Sequence, residues 1–139
     1  MADAITVLEH DENGYYSSQG WNAEHVRTVS SIDAPKPKAV VASGKLLEVC
    51  VVAFAGDRGV SAVEVSTDAG ESWSGAHIDY APSRLTWALW TFGWTPSASG
   101  KATLMVRAYD GSGAIQESRS HGTVPDGATG LHHVEVRVA

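Results

Sequence analysis

The residues of this chain that could do chemistry are six histidines, one cysteine and a supply of serines and carboxylates. A metal centre needs about three or four donors brought to one point. The histidines stand at positions 10, 25, 77, 121, 132 and 133. His132 and His133 are adjacent, so on a strand their rings point to opposite faces and do not share one ion. No serine occupies a Gly-x-Ser-x-Gly elbow, which removes the simplest nucleophilic hydrolase. Asp68 and Glu71 share a turn instead of converging from separate strands, so they do not form a paired-carboxylate site. No glycine loop of the phosphate-cradling kind is present. Cys50 is the single cysteine, which excludes an intrachain disulfide and a cysteine cluster. It sits in the apolar run Leu46-Leu47-Glu48-Val49-Cys50-Val51-Val52-Ala53-Phe54 and reads as a small buried hydrophobe.

Two features remain. The first is Ser66-Thr67-Asp68-Ala69-Gly70-Glu71-Ser72-Trp73, the pattern called an Asp-box. Asp68 is placed to bond back to turn amides, Gly70 to take positive φ, and Trp73 to pack underneath. A propeller would repeat such a box at a fixed period. Here it occurs once, so Ser66, Asp68, Gly70 and Trp73 read as a structural hairpin lock. The second feature is the set of five tryptophans, at positions 21, 73, 87, 90 and 94. Such residues build a packed core, a protein interface or a sugar-stacking face. Trp73 and Trp87 read as core. Association would bury the aromatic stretch 87–94, which makes Trp87, Trp90 and Trp94 interface candidates. A carbohydrate-binding sandwich with exposed tryptophans is the alternative function.

The elements that hold these residues read as β. Strands are expected over Val26–Asp33, over 46–54 (buried on both faces), over Val60–Ser66, from Trp73 toward Ile78, over Leu85–Trp94, over Ala102–Asp110 and over Leu131–Val138. The last alternates Val134, Val136 and Val138 with His133, Glu135 and Arg137. Turns separate them at Ser43-Gly44, at Gly56-Asp57-Arg58-Gly59 and at Asp110-Gly111-Ser112-Gly113. No sustained helical period occurs. About seven short strands at this spacing predict an all-β, immunoglobulin-like sandwich. Residues 1–25 read as an irregular lead-in and 26–139 as the domain.

Composition agrees. The chain of 139 residues fits one domain, with 43% hydrophobic and 19% charged residues. Lys plus Arg is 10 against 16 for Asp plus Glu, a net charge of −6. That balance argues against nucleic acid and against an anionic membrane surface as partners. No apolar stretch reaches the roughly 18 residues of a membrane span.

Several separated segments together resemble the C-terminal dimerisation domain of sulfite oxidase-like molybdenum-cofactor oxidoreductases, in an E-set sandwich. They are the stretch from Ala53 through Gly56-Asp57-Arg58-Gly59 to Trp73, then Trp87-Ala88-Leu89-Trp90, then Arg107-Ala108-Tyr109-Asp110 followed by Gln116. Pro125-Asp126-Gly127-Ala128-Thr129-Gly130-Leu131-His132-His133-Val134 completes the set, and Gly14-Tyr15-Tyr16-Ser17-Ser18-Gln19-Gly20-Trp21 is similar to the segment that leaves the family's catalytic domain. The resemblance spans about residues 14–138. It implies an upstream domain that binds molybdopterin and carries the molybdenum-ligating cysteine, a homodimer, and no cofactor or catalysis in this chain alone. Some bacterial members of this kind are membrane-anchored, with the catalytic part outside the cytoplasm. It also implies that Asp57 and Arg58 face the upstream domain, unless they form a plain surface ion pair. One departure stands out. Sulfite-oxidising members lend an arginine to their anion pocket shortly before the last strand, and Gly122-Thr123-Val124-Pro125-Asp126-Gly127 contains none. Arg119 is out of register.

Overall fold

The computed structural model describes residues 26–83, 85–118 and 130–139. Two sheets face each other. The front sheet has the order β1 (Val29–Ala34), β3 (Leu47–Phe54), β7 (Ala88–Trp94), β6 (His77–Tyr80). The back sheet has the order β2 (Val40–Val41), β9 (His133–Val138), β8 (Gly100–Asp110), β4 (Val60–Ser66), β5 (Ser74–Gly75). All pairings are antiparallel except β2 with β9.

The expected sandwich is present, with nine strands among the described residues against the seven expected. The extra ones are β2 and β5, of two residues each. The stretch from Trp73 toward Ile78 is not one strand. It pairs with the back sheet through β5 and crosses at Ala76, whose amide donates to the Val63 carbonyl at 2.8 Å. It then joins the front sheet as β6. Side-chain periodicity is blind to such a crossing, because both halves remain extended.

The core lies between the sheets. The front sheet contributes Ile32, Val49, Val51, Ala53, Ala88 and Trp90, and the back sheet Val63, Val65, Leu104, Val106, Val134 and Val136. β9 alternates as its sequence predicts, with Val134, Val136 and Val138 buried and His133, Glu135 and Arg137 exposed. β3 departs from expectation. Only Val49, Val51 and Ala53 are buried, while Cys50, Val52 and Phe54 are half-buried on the opposite face. Cys50 is thus a residue of the outer face and not of the core.

The ends of the sandwich are closed by polar contacts. The buried Gln116 carboxamide oxygen accepts from Ser30 Oγ at 2.6 Å and from the Ala108 amide at 3.2 Å, so it ties β1 to β8. His132 Nδ1 accepts from the Ile32 amide at 2.9 Å. Burial, and secondarily the neighbouring His133, hold the His132 pKa below its ordinary 6.5. A depressed histidine pKa means the unfolded chain binds the proton more readily. The contribution of His132 is therefore complete above about pH 6.5 and is lost as pH falls below it. Urea midpoints at pH 7.5 and 5.5 should show this loss, and His132→Phe should shrink it. An equal pH response in both proteins would remove His132 as its source.

A second closure joins the 56–59 turn to the start of the β8 hairpin. The Gly111 amide donates to the Gly59 carbonyl at 3.0 Å. A Cβ on Gly111 would stand 2.0 Å from the Arg58 carbonyl oxygen, a backbone atom that cannot swing aside. Gly111→Ala should therefore destabilise the fold by about 1–3 kcal/mol through overpacking. Gly75→Ala, with nothing within 4 Å of the new carbon, is the matched control. Equal denaturant midpoints for the two variants would refute the clash.

Candidate functional site

The two outer faces differ in chemistry. On the back sheet, Arg107 Nε bonds Glu64 Oε1 at 2.9 Å, and Lys101 Nζ lies 3.4 Å from Glu135 Oε1. Tyr109 Oη donates to the same Glu64 oxygen at 2.6 Å. Burial works to raise the Glu64 pKa, but the bonds from Tyr109 and Arg107 outweigh it and the net shift is downward. Arg107 also caps the Trp73 ring, 4.1 Å from its centroid. This face is charged, internally paired and suited to water.

The front sheet's outer face carries an apolar cluster. Its rows follow from the register: Val52 stands opposite Leu89, and Leu89 opposite Tyr80. One step further, Phe54 stacks on Trp87, with ring centroids 5.5 Å apart. Trp87 is 49% exposed, Leu89 40% and Tyr80 59%. Leu85 and Ile78 are also exposed. A cluster of large apolar side chains open to solvent marks a surface that another molecule covers.

The interface candidates therefore separate. Trp87 belongs to this face and not to the core. Trp90 is a correction in the other direction: opposite Val51 in the ladder, it points inward and is 6% exposed. Trp94 is half-buried against the core on the inner side. Alternation along β7 places the two inner rings at even positions and Leu89 outside. Leu89 lies within the stretch 87–94 expected to pair, whereas Val52, Phe54 and Tyr80 lie outside it; the signal for the first two is the alternation Cys50, Val52, Phe54, which a run of apolar residues conceals.

Asp57 and Arg58 form the 3-10 turn Gly56–Arg58 and do not pair with each other. Asp57 is exposed. Arg58 Nε bonds Asp110 Oδ2 at 3.0 Å, and its Nη2 donates to the Val26 carbonyl at 2.5 Å. The guanidinium thus clamps the start of the domain to the end of β8. Asp110 also accepts from Ser112 Oγ, at 2.5 Å, and from the Ser112 and Ala114 amides. Those bonds, the Ser112 hydroxyl first, hold its pKa below the carboxylate norm.

The Asp68 turn is closed by its own side chains. Ser66 Oγ donates to Asp68 Oδ1 at 2.7 Å and accepts from the Gly70 amide at 2.8 Å. The Ser72 amide donates to Asp68 Oδ1 at 2.8 Å, and the Ser72 hydroxyl donates to Oδ2. The Ser72 and Ser66 hydroxyls bring the Asp68 pKa down to about 2. Gly70 has φ +91°, and its carbonyl accepts from Trp73 Nε1 at 3.1 Å. Trp73 is half-buried beneath Arg107 on the outer side of the back sheet, not in the core. The Asp68 carboxylate is thus spent on its own turn, and the Ala69 amide ties the turn to the Thr103 carbonyl at 3.1 Å.

Among the described residues no group of three or more His, Cys, Asp or Glu is placed to hold a metal. Burial, then the charges of Glu48, Asp33 and Asp79, push the Cys50 thiol pKa up. No helix among the described residues is long and apolar enough to cross a membrane. The lead-in with Trp21, and the arginine-free segment 122–127, lie outside the described residues.

Comparison with known proteins adds a family. A family model described as "Mo-co oxidoreductase dimerisation domain" matches residues 22–137. Sulfite oxidase of Gallus gallus is 28% identical over 121 residues, which cover 78% of this chain and 26% of that protein. The chain thus spans about a quarter of the length of the curated relative it matches. Among solved structures, the sulfane dehydrogenase SoxCD of Paracoccus pantotrophus superposes with a TM-score of 0.59 at 24% identity, covering 67% of this chain and 24% of that one. Fibronectin(III)-like modules of Clostridium thermocellum CbhA give 0.54 at 20% identity, covering 81% of this chain and 47% of theirs. At these identities the two structural likenesses establish the sandwich fold.

Proposed function

The chain belongs to the Mo-co oxidoreductase dimerisation domain family, and from that premise we propose that it is the dimerisation and domain-docking module of a sulfite oxidase-like molybdopterin enzyme. The observation that carries the surface assignment is the apolar outer face of the front sheet, centred on Phe54, Trp87, Leu89 and Tyr80. A second copy of the chain covers that face in a two-fold dimer. The molybdopterin and its chemistry belong to an upstream domain, in keeping with a match to the dimerisation part of the family alone. Asp57, exposed in its turn, is the loop residue available to that domain, while Arg58 is engaged within the sandwich.

A sugar-binding face is not favoured. Trp73 lies under Arg107, Trp90 is buried, and Trp87 has one ring face stacked on Phe54. Light scattering of the purified chain over a concentration series tests the proposal. The expected mass at high concentration is twice 14.7 kDa. A mass of one chain at every concentration would overturn self-association by this domain.

A further inference from the structure

The turn after β8 joins two residues that the fold demands. Gly111 is demanded by close approach, since a Cβ there would stand 2.0 Å from the Arg58 carbonyl oxygen. Asp110 is demanded by its bonds to Arg58 Nε, to the Ser112 hydroxyl and to the Ser112 and Ala114 amides. Together they make an Asp-Gly peptide, which carries a chemical hazard. With no Cβ in the way, the glycine nitrogen is open to attack the side-chain carbon of the aspartate before it.

In that reaction Gly111 N gives its proton to water and forms a bond to Asp110 Cγ. A Cγ–O bond of the neutral carboxyl group breaks, and the oxygen leaves as water. The product is a five-membered cyclic imide. Water then adds at the Asp110 main-chain carbonyl carbon, and the bond from that carbon to Gly111 N breaks. The chain now runs through Cγ as isoaspartate, with one water lost and one regained and no change of oxidation state. The main chain gains a methylene, and the carboxylate that Arg58 and the 112–114 amides share is displaced.

The fold opposes each step. The Gly111 amide proton is held by the Gly59 carbonyl at 3.0 Å, and ring closure consumes that N–H outright. Asp110 Oδ2 is taken by Arg58, and Oδ1 by Ser112 and Ala114. Those donors favour the anion over the neutral acid that must lose water. Asp110 is also buried, with its amide bonded to the Ala114 carbonyl at 3.0 Å and its carbonyl to the Gly113 amide at 2.9 Å.

We propose that Asp110-Gly111 is a latent isomerisation site, held shut by Arg58 and Gly59 of the neighbouring turn, and that loss of the Arg58 clamp opens it to isoaspartate formation. This is independent of which surface pairs two copies.

Trypsin cuts after Arg107 and Arg119, so the site falls in one peptide, 108–119. The purified chain is kept in warm neutral buffer, folded or in urea. Isoaspartate in that peptide is read by enzymatic methylation and by shifted chromatographic elution. A hydrogen bond to a charged group moves an opening equilibrium by about tenfold or more, so the folded chain should isomerise at least about tenfold more slowly than the unfolded one. Arg58→Met keeps the aliphatic stem, deletes the donors and should raise the folded rate by about tenfold or more. Ser112→Ala, at an exposed position, removes one donor from Oδ1 and should raise it in the same direction. Circular dichroism checks that each variant stays folded during the incubation. Equal rates in the folded and unfolded parent would overturn the proposal. So would a folded Arg58→Met protein as slow as the parent. If Arg58→Met does not fold, Ser112→Ala carries the test, and an unchanged rate there overturns the guard by carboxylate bonds.

Discussion

Replacing Trp87 with alanine should weaken the dimer by about thirtyfold or more and cost the fold much less than truncating a fully buried tryptophan. The indole stands half exposed, with its ring against Phe54. A large aromatic at the middle of a desolvated interface costs about 2 kcal/mol or more when truncated, which is roughly thirtyfold in Kd. Within one chain it gives up the aromatic stack, about 0.5–1.5 kcal/mol, in addition to the area its half-covered ring buries. Leu89→Asp should act in the same direction, because it places a charge where a partner excludes water. Sedimentation or light scattering reads the Kd, and urea unfolding of the dilute monomer reads the stability. A Trp87→Ala protein that dimerises like the parent would move the interface away from the front face.

Trp90→Ala should do the reverse. Trp90 is buried between the sheets, opposite Val51 on β3. Truncating a buried tryptophan leaves a cavity and costs about 3–5 kcal/mol. That is a large part of the 5–15 kcal/mol that typically holds a domain of this kind together. The folded fraction should still dimerise with an unchanged Kd, since no Trp90 surface reaches the front face. Trp90→Phe should recover much of the loss. Among the described residues the indole N–H is buried without a hydrogen-bond partner, so phenylalanine removes an unmet donor along with some volume. A Trp90→Ala protein with parental stability and a weakened dimer would place this side chain in the interface after all.

The two tryptophans are three residues apart in one aromatic stretch, yet their roles are opposite. What separates them is register. Trp90 lies in β7 on the inward phase of the strand, whereas Trp87 precedes the strand and follows the outward row of Phe54. Sequence alone identified the stretch as aromatic and extended. It could not assign the phase, because positions 87, 90 and 94 change parity along the stretch and stand at the i, i+3, i+7 spacing of a helix instead of a period of two. The same limit applies at β3. A run of apolar residues fits a strand buried on both faces as well as it fits one with an apolar outer face. What decides between them is the tertiary structure, in which no strand among the described residues lies beyond the front sheet.

The residues by themselves determined a good deal. Alternation in β9, the turn chemistry at Asp68 and Asp110, and the spacing of Gly and Asp between apolar runs dictate short strands and tight hairpins, and hence a sandwich. Those features are local, so they are written in contiguous residues. A single cysteine and scattered histidines likewise left no local metal pattern. The tertiary structure decided the long-range pairings. Arg58 meets Asp110 and not its neighbour Asp57, His132 meets the Ile32 amide, and Gln116 bridges β1 and β8. Each joins residues far apart in the chain, and their contact depends on which strands become neighbours. The apolar face is of the same kind. Val52, Phe54, Tyr80, Trp87 and Leu89 come from three separate segments, and it is the β3–β7–β6 order that turns them into one surface.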